Sequence, residues 1–272
     1  MSSIACRLGV MGQMDADVLS WRNTIVAAGG SVSVALLSIA SRCVTSEKAS
    51  GGWALTDDYW PIWGENLIQA TVSLKQRRTV TLVNAPAFTA RRHFATDGTS
   101  SYLNTGFIPS THAVAATTHN FRLAVYLRDN LSGNTYAAGA ASSSNRNLRV
   151  RPRNNVVAVY LEANSSSGTY TLPAATSAGY TAGSRDAASG ANSYGYKNGV
   201  AMVQTVAPTA FGSASLPVVP ILVGGYNNAG VFTAPRATSI GFMAVGATLS
   251  AAQELAQYNA VQAWATALRA NV

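Results

Sequence analysis

Tyr194-Gly-Tyr-Lys-Asn-Gly-Val-Ala201 is the stretch that decides the fold class. A type I′ turn needs positive φ at both central residues, and Asn198-Gly199 supplies them between strand-forming Tyr196-Lys197 and Val200-Ala201. A two-residue hairpin is therefore predicted. Outward from it, short runs with β-branched and aromatic residues recur between turn residues at 79–83, 88–94, 102–105, 121–127, 136–140, 147–151, 156–161, 169–172, 193–197, 200–205, 221–225 and 238–245. Many short strands at close intervals imply a sandwich or barrel. Within 156–161, Val157, Val159 and Leu161 share one face, and Val156, Ala158 and Tyr160 share the other.

The two ends read as helices. Asp15 is a candidate N-cap for a helix carrying Val18, Trp21, Ile25 and Val26, with Gly29-Gly30 as its stop. A second, short helix is predicted after Ser31 or Ser33, with Val34, Leu37 and Ile39 or Ala40 inward and its end before Arg42 and Cys43. Ser250 and Gln253 have capping-box spacing ahead of a helix to about Leu268. Between these, Trp53, Trp60 and Trp63 crowd one segment that Pro61 keeps from being an unbroken helix. They are expected to plug a helical unit, residues 1–65, onto a β-sandwich spanning 66–272, rather than to form a sugar platform.

Of the 272 residues 48% are apolar and 11% charged, against about 25% charged in an ordinary soluble domain. Net charge is +8. Residues 1–100 hold 9 basic and 7 acidic groups and residues 101–272 hold 10 and 4, so the second part is the basic one. No apolar run approaches the roughly 20 residues that cross a bilayer, so no membrane insertion is expected. The first residues lack the apolar core of a secretory signal, from which no Sec export is expected. Cys6 and Cys43 are the only cysteines, too few for a disulfide framework; whether they pair stays open.

Four motifs follow one another in order: Phe94-Ala-Thr-Asp-Gly-Thr-Ser-Ser-Tyr-Leu-Asn-Thr-Gly-Phe107, the Tyr196 to Gly199 hairpin, Ile221-Leu-Val-Gly-Gly-Tyr-Asn-Asn228, and Gly246-Ala-Thr-Leu-Ser-Ala-Ala-Gln-Glu254. Together they resemble the concanavalin A-like, or laminin-G-like, antiparallel β-sandwich (jelly roll) in the form found in bacteriophage and prophage structural proteins. The resemblance covers about residues 66–268, and in that form a small helical segment precedes the sandwich, as 15–44 would here. It implies a mainly β protein with a C-terminal helix, acting as a non-enzymatic, lectin-like host-attachment module of a tail or fibre. A capsid decoration protein is the alternative, and a glycoside hydrolase or lyase a weaker one. It further implies a virion protein assembled in the bacterial cytoplasm, with other virion proteins, copies of itself and a host surface glycan as partners. Nucleic acid is not expected, because no basic and aromatic alternation accompanies the arginines.

The acidic residues are scattered and make no Glu-x-Asp-x-Glu strand, so neither a paired-carboxylate active site nor a lectin metal site is expected. Asp57-Asp58 reads as a turn. His93, His112 and His119 have no metal-ligand spacing, and no cofactor motif is present. Two sets of binding candidates remain. Arg146, Arg149, Arg151 and Arg153 are candidates for an acidic partner, with Arg149 and Arg151 on one strand face. Tyr194, Tyr226, Asn227 and Asn228 are candidates for a glycan, on loops at one end of the sandwich.

Overall fold

A computed structural model describes residues 14–143, 145–154, 158–171, 176–186, 193–209 and 215–272. Cys6, Val156, Val157 and Leu172 lie outside the described residues, and with Cys6 any pairing to Cys43. The described helices are α1 (Ala16–Ala27), α2 (Val34–Ser50), α3 (Gly52–Leu55), α4 (Leu67–Thr71), α5 (Pro109–His112) and α6 (Ala251–Ala267). The strands are β1 (Thr56–Pro61), β2 (Thr81–Val83), β3 (Ala87–Thr89), β4 (His93–Ala95), β5 (Tyr102–Asn104), β6 (Phe121–Leu127), β7 (Ala138–Ser143), β8 (Arg146–Asn154) and β9 (Ala158–Ala163). They continue as β10 (Gly168–Thr171), β11 (Gly179–Arg185), β12 (Ser193–Lys197), β13 (Val200–Ala201), β14 (Val203–Val206), β15 (Leu222–Val223), β16 (Tyr226–Asn228), β17 (Val231–Thr233) and β18 (Ser239–Gly246).

The chain is mainly β, and its two sheets form the antiparallel sandwich expected. The smaller runs β13-β12-β11-β6-β18-β4-β3 with β1 also on β18; the larger runs β14-β10-β9-β8-β7-β15-β5-β2 with β16 and β17 attached at β7. One pairing, β16 with β7, is parallel. The hairpin forms as read: Asn198 and Gly199 have φ of 50° and 76°, and Tyr196 pairs with Ala201. The sheets meet through Leu123, Val125, Leu127, Met243 and Val245 on one side and Leu103, Leu148, Val150, Val159 and Leu161 on the other.

A helical layer covers the outer face of the smaller sheet. Asp15 caps α1 through the Asp17 amide, Ser33 caps α2, and Ser250 with Gln253 closes the capping box of α6. Helix α2 runs past the expected stop to Ser50, because Arg42 and Cys43 are both good enough helix residues and the left-handed Gly51 (φ 77°) is the first true terminator. Beneath α1, α2 and α6 the sheet presents Ala124, Ala182 and Ala244 beside Tyr126, Tyr180 and Phe242, small and aromatic side chains that admit Trp21, Trp63 and Trp264. Trp63 stacks on Phe242 with centroids 6.1 Å apart and interplanar angle 18°.

The segment 56–63 departs most from expectation. Strand β1 is part of the smaller sheet, and its alternation sends Tyr59 and Trp63 into the helical layer but Trp60 and Ile62 between the sheets. Trp60 and Trp63, and Trp53 just before them, are all buried, which rules out a sugar platform there. Asp57-Asp58 is not a turn. Asp57 accepts from the amides of Val114, Ala115 and Ala116, and Asp58 from those of Tyr59 and Gln76, so each carboxylate anchors a neighbouring loop.

A polar network is enclosed where α2 and α6 meet the sheet. Arg122 of β6, fully buried, donates to both oxygens of Glu254, to the Tyr180 hydroxyl and to Gln257 Oε1. Gln257 Nε2 donates to Glu47 Oε2 at 2.8 Å, and Glu47 lies beside the Cys43 thiol, itself 3.2 Å from the Tyr59 hydroxyl. Burial pushes the Glu47 carboxyl up to about 7, Gln257 and Arg122 opposing it. Burial likewise raises Asp58 to about 6 and lowers the Lys197 ammonium to about 7.

Two outcomes follow from this packing. Trp60→Ala removes a ring packed edge-on against Phe107 at 5.9 Å, and unfolding in urea should show a loss of about 3–5 kcal/mol. For Glu47, a carboxyl raised in the folded state contributes stability that is whole below its ordinary value and lost as pH rises through about 7. The size is roughly 3 kcal/mol between pH of about 4.5 and 7. Urea midpoints across that range should fall in the wild type, and Glu47→Gln should reduce that fall to what Asp58 supplies against the opposite contribution of His93 and His112, both lowered by burial; Lys197 also acts in the opposite sense above about 7.

Candidate functional site

Among the described residues, the long helices pack on the smaller sheet and none lies across the outer face of the larger one. Leu148 and Val150 of β8 point into the core, so Arg149 and Arg151 project outward together, as the spacing predicts. Register places Arg149 opposite Gly139 on β7 and Glu162 on β9, and Arg151 opposite Tyr160. A Cβ on Gly139 would fall 2.7 Å from Arg149 Cγ, so the glycine is what lets the arginine lie flat across β7. From there its guanidinium reaches the rings of Tyr136 (4.9 Å) and Tyr226 (4.6 Å). The Arg151 guanidinium reaches those of Tyr136 (4.5 Å) and Tyr160 (4.9 Å). The result is an interleaved row, Tyr226, Arg149, Tyr136, Arg151, Tyr160, with the cations over ring faces.

Glu162 fixes the row from below. It is 4% exposed. It accepts from Tyr136 (2.8 Å), Asn147 (3.1 Å), Ser167 (2.7 Å) and Arg149 Nε (2.7 Å), with Arg149 Nη2 also on it. A carboxylate held by four side chains is a structural acceptor. Burial, and after it Glu162, push the Tyr136 hydroxyl up to about 12, so it stays a donor. Arg151 donates to Asn134 and Arg153 to Asn130 (2.9 Å), which ties the 128–136 segment to the row. Arg236, buried beside them, donates to the Leu131 carbonyl at 2.8 Å; burial lowers its guanidinium to about 10.

The structure joins the two candidate sets at one point and divides them elsewhere. Tyr226 stacks under Arg149, so an expected glycan residue and an expected acidic-partner residue belong to one assembly. The expected loop is a strand, however. In β16, Tyr226 is 8% and Asn227 5% exposed; Asn227 spends its side chain on the Pro220 carbonyl and Gly230 amide, and only Asn228 is exposed. Tyr194 is in the other sheet, on β12 opposite Ser184, and lines a groove of about 450 Å³ with Asn120, Asp186, Tyr196, Thr248, Leu249, Ser250 and Ala251. Arg146 opens β8 opposite Ser143, half-buried.

Sequence reading missed Tyr136, Tyr160 and Glu162 as members of the row. The signal was present for Tyr160, which alternation puts on the face opposite Val159 and Leu161; for Tyr136 and Glu162 it lies in cross-strand register, which one sequence does not print. Among the described residues no three His, Cys, Asp or Glu side chains come together as a metal site, and no helix is long and apolar enough to cross a membrane.

No family model and no curated protein matches the chain. Among solved structures, it is similar to domain 4 of AbnA, a GH43 extracellular arabinanase from Geobacillus stearothermophilus, in complex with arabinotriose. That likeness has 11% identity and a TM-score of 0.45, covering 74% of this chain and 97% of that one. A mutant of Trypanosoma rangeli sialidase displaying trans-sialidase activity gives 11% identity and a TM-score of 0.46, over 83% of this chain but 39% of that one. The Ruminococcus gnavus IT-sialidase CBM40 bound to alpha2,3 sialyllactose gives 17% and 0.35, over 54% and 88%.

Removing one partner of the Arg149–Glu162 pair leaves a buried charge unmatched. Arg149→Ala should therefore cost about 3 kcal/mol in urea unfolding, while Arg146→Ala should change stability by less than about 0.5 kcal/mol. Equal effects would mean that the row is not held by this pair.

Proposed function

We propose that the chain is a non-enzymatic, lectin-like binding module of a bacteriophage particle, carried on its tail or a fibre, that recognises an acidic glycan of the host surface. The row of rings and guanidiniums on the open face of the larger sheet carries this reading. Sugar rings present C–H faces that lie on aromatic rings, and a uronic or sialic carboxylate is matched by forked guanidiniums. Tyr226, Tyr136 and Arg151 are buried enough to be the fixed floor. The surface a ligand meets is Tyr160, half-buried at the end of the row, with Arg149 and Arg153 along β8 beside it and Asn228 at the far margin. Rigid, pre-stacked groups pay little ordering entropy on binding.

The saturated state of Glu162 favours binding over hydrolysis, since a glycosidase needs two carboxyl groups free to exchange protons or attack. The phage setting is supported by the order of the four sequence motifs and by a surface made of Ser, Thr, Asn and Gly rather than charge. A decoration protein on the capsid is the competing placement; it would bind expanded heads and leave cells alone.

Purified chain should be retained on polygalacturonate, a uronic-acid polysaccharide, and on intact bacterial cells, but not on neutral dextran or on empty heads, and should release no reducing sugar. Tyr160→Ala should weaken retention by about tenfold, about 1.4 kcal/mol, without lowering the melting temperature. Equal binding to dextran, or release of reducing ends, would refute the reading; binding to heads alone would move the protein to the capsid.

A further inference from the structure

The row on the larger sheet is not electrically uniform. Arg149 lies against Glu162, its register partner on β9, so their charges cancel. Arg151 has no such partner: among the described residues it makes no ion pair, and it is 8% exposed, with one amino group on the Asn134 side-chain oxygen and no partner for Nε. Arg236, 3% exposed, donates to the Leu131 and Thr135 carbonyls of the same segment and, among the described residues, makes no ion pair either. Two uncancelled guanidiniums are thus gathered against residues 131–135, and Arg151 carries its charge to the Tyr160 ring. A cation buried without a counter-charge costs stability, and between low-dielectric ring faces its field reaches further than it would in water.

The other end of the row carries no net charge. Beyond Arg149 the sheet continues through β7 to β16 and β17, and neither 137–144 nor 221–235 contains an Asp, Glu, Lys or Arg. Arg146 falls on the opposite parity of β8 from Arg149 and Arg151, a parity fixed by Asn147, whose side chain meets Glu162. What this end offers is the Tyr226 ring under Arg149 and the exposed Asn228. A ligand carboxylate placed here would meet Glu162 and no unpaired cation, which is a repulsive contact. From β16 across β7 and β8 to β9 is roughly 14 Å at the usual strand spacing, longer than one sugar ring.

We infer that this face takes a glycan chain in which an acidic unit adjoins neutral ones, with the carboxylate at the Arg151 and Tyr160 end and the neutral sugars across Arg149 towards Tyr226 and Asn228. The inference rests on the reading of this face as a glycan site and names the class of glycan. A chain with a carboxylate on every unit sets one of them against the cancelled Arg149–Glu162 pair. An alternating chain instead brings its charge to the uncancelled cation and its hydroxyls to the uncharged strands. Arg151 is the residue that sets this choice, and its charge acts from the floor of the row.

Calorimetric titration of the full chain with oligosaccharides of equal length tests this. A hyaluronan hexasaccharide, in which glucuronate alternates with N-acetylglucosamine, should bind about tenfold tighter than hexagalacturonate, whose units are all acidic. Arg151→Gln should weaken the hyaluronan fragment about tenfold and remove the preference. It should lower the melting temperature less than Arg149→Ala does, since no carboxylate is left unpaired. Asn228→Lys, at an exposed position on β16, should tighten hexagalacturonate and leave the hyaluronan fragment as it was, and it decides the matter should the arginine variant fail to fold. Hexagalacturonate bound as tightly as the hyaluronan fragment, or unaltered binding by Arg151→Gln, would overturn this inference and leave the glycan reading standing. Binding of neither acidic oligosaccharide would remove both.

Discussion

Burying Arg122 is the constraint from which the rest of the architecture follows. A guanidinium with no exposed surface, near the start of a strand, is tolerated only beside a carboxylate and further acceptors. Those come from Glu254 and Gln257 of α6 and the Tyr180 hydroxyl, and Gln257 passes the link to Glu47 of α2. The smaller sheet therefore cannot be completed without its helices. Removing α2 and α6 would expose an unpaired charge and a surface of tyrosine, phenylalanine and alanine that is shaped for tryptophan.

That closure divides the molecule by role. The smaller sheet is covered on both faces and serves as the interior of a helix, sheet, sheet stack. Among the described residues the larger sheet is covered on one face, and its other face is organised by a second, less buried ion pair, Arg149 with Glu162. The same physics acts in both places with different results. Inside, Arg122 fastens layers together; outside, Arg149 and Arg151 fasten tyrosines into a fixed order while leaving the end of the row in contact with solvent.

Much of the fold is legible in the sequence because its local signals are strong. Asn198-Gly199, Asp15 and Ser250 with Gln253 each act within a few residues and each occupies the expected position, and of the two candidates Ser31 and Ser33 it is Ser33 that caps. What local signals do not carry is register and burial. Strand β11, Gly179–Arg185, was not expected, since Gly-Tyr-Thr-Ala-Gly-Ser-Arg has no hydrophobic alternation; its small residues are there because neighbours press close, with Leu161 atoms 2.5 Å from where a Gly183 Cβ would stand. Strand β1 was disguised by Asp57 and Asp58, whose more distant partners, the amides of 114–116 and of Gln76, lie on loops later in the chain. Of the candidate site, the shared face of Arg149 and Arg151 was legible from parity, but their tyrosine partners come from β16, β9 and the segment before β7, brought together by pairing alone.

The central claim is that the helical layer and the sandwich are one unit joined through Arg122. Differential scanning calorimetry of the intact chain at neutral pH tests it most directly. A single transition whose calorimetric and van't Hoff enthalpies agree is the predicted result. Two separable transitions, with the helices melting away from a sandwich that stays folded, would contradict it.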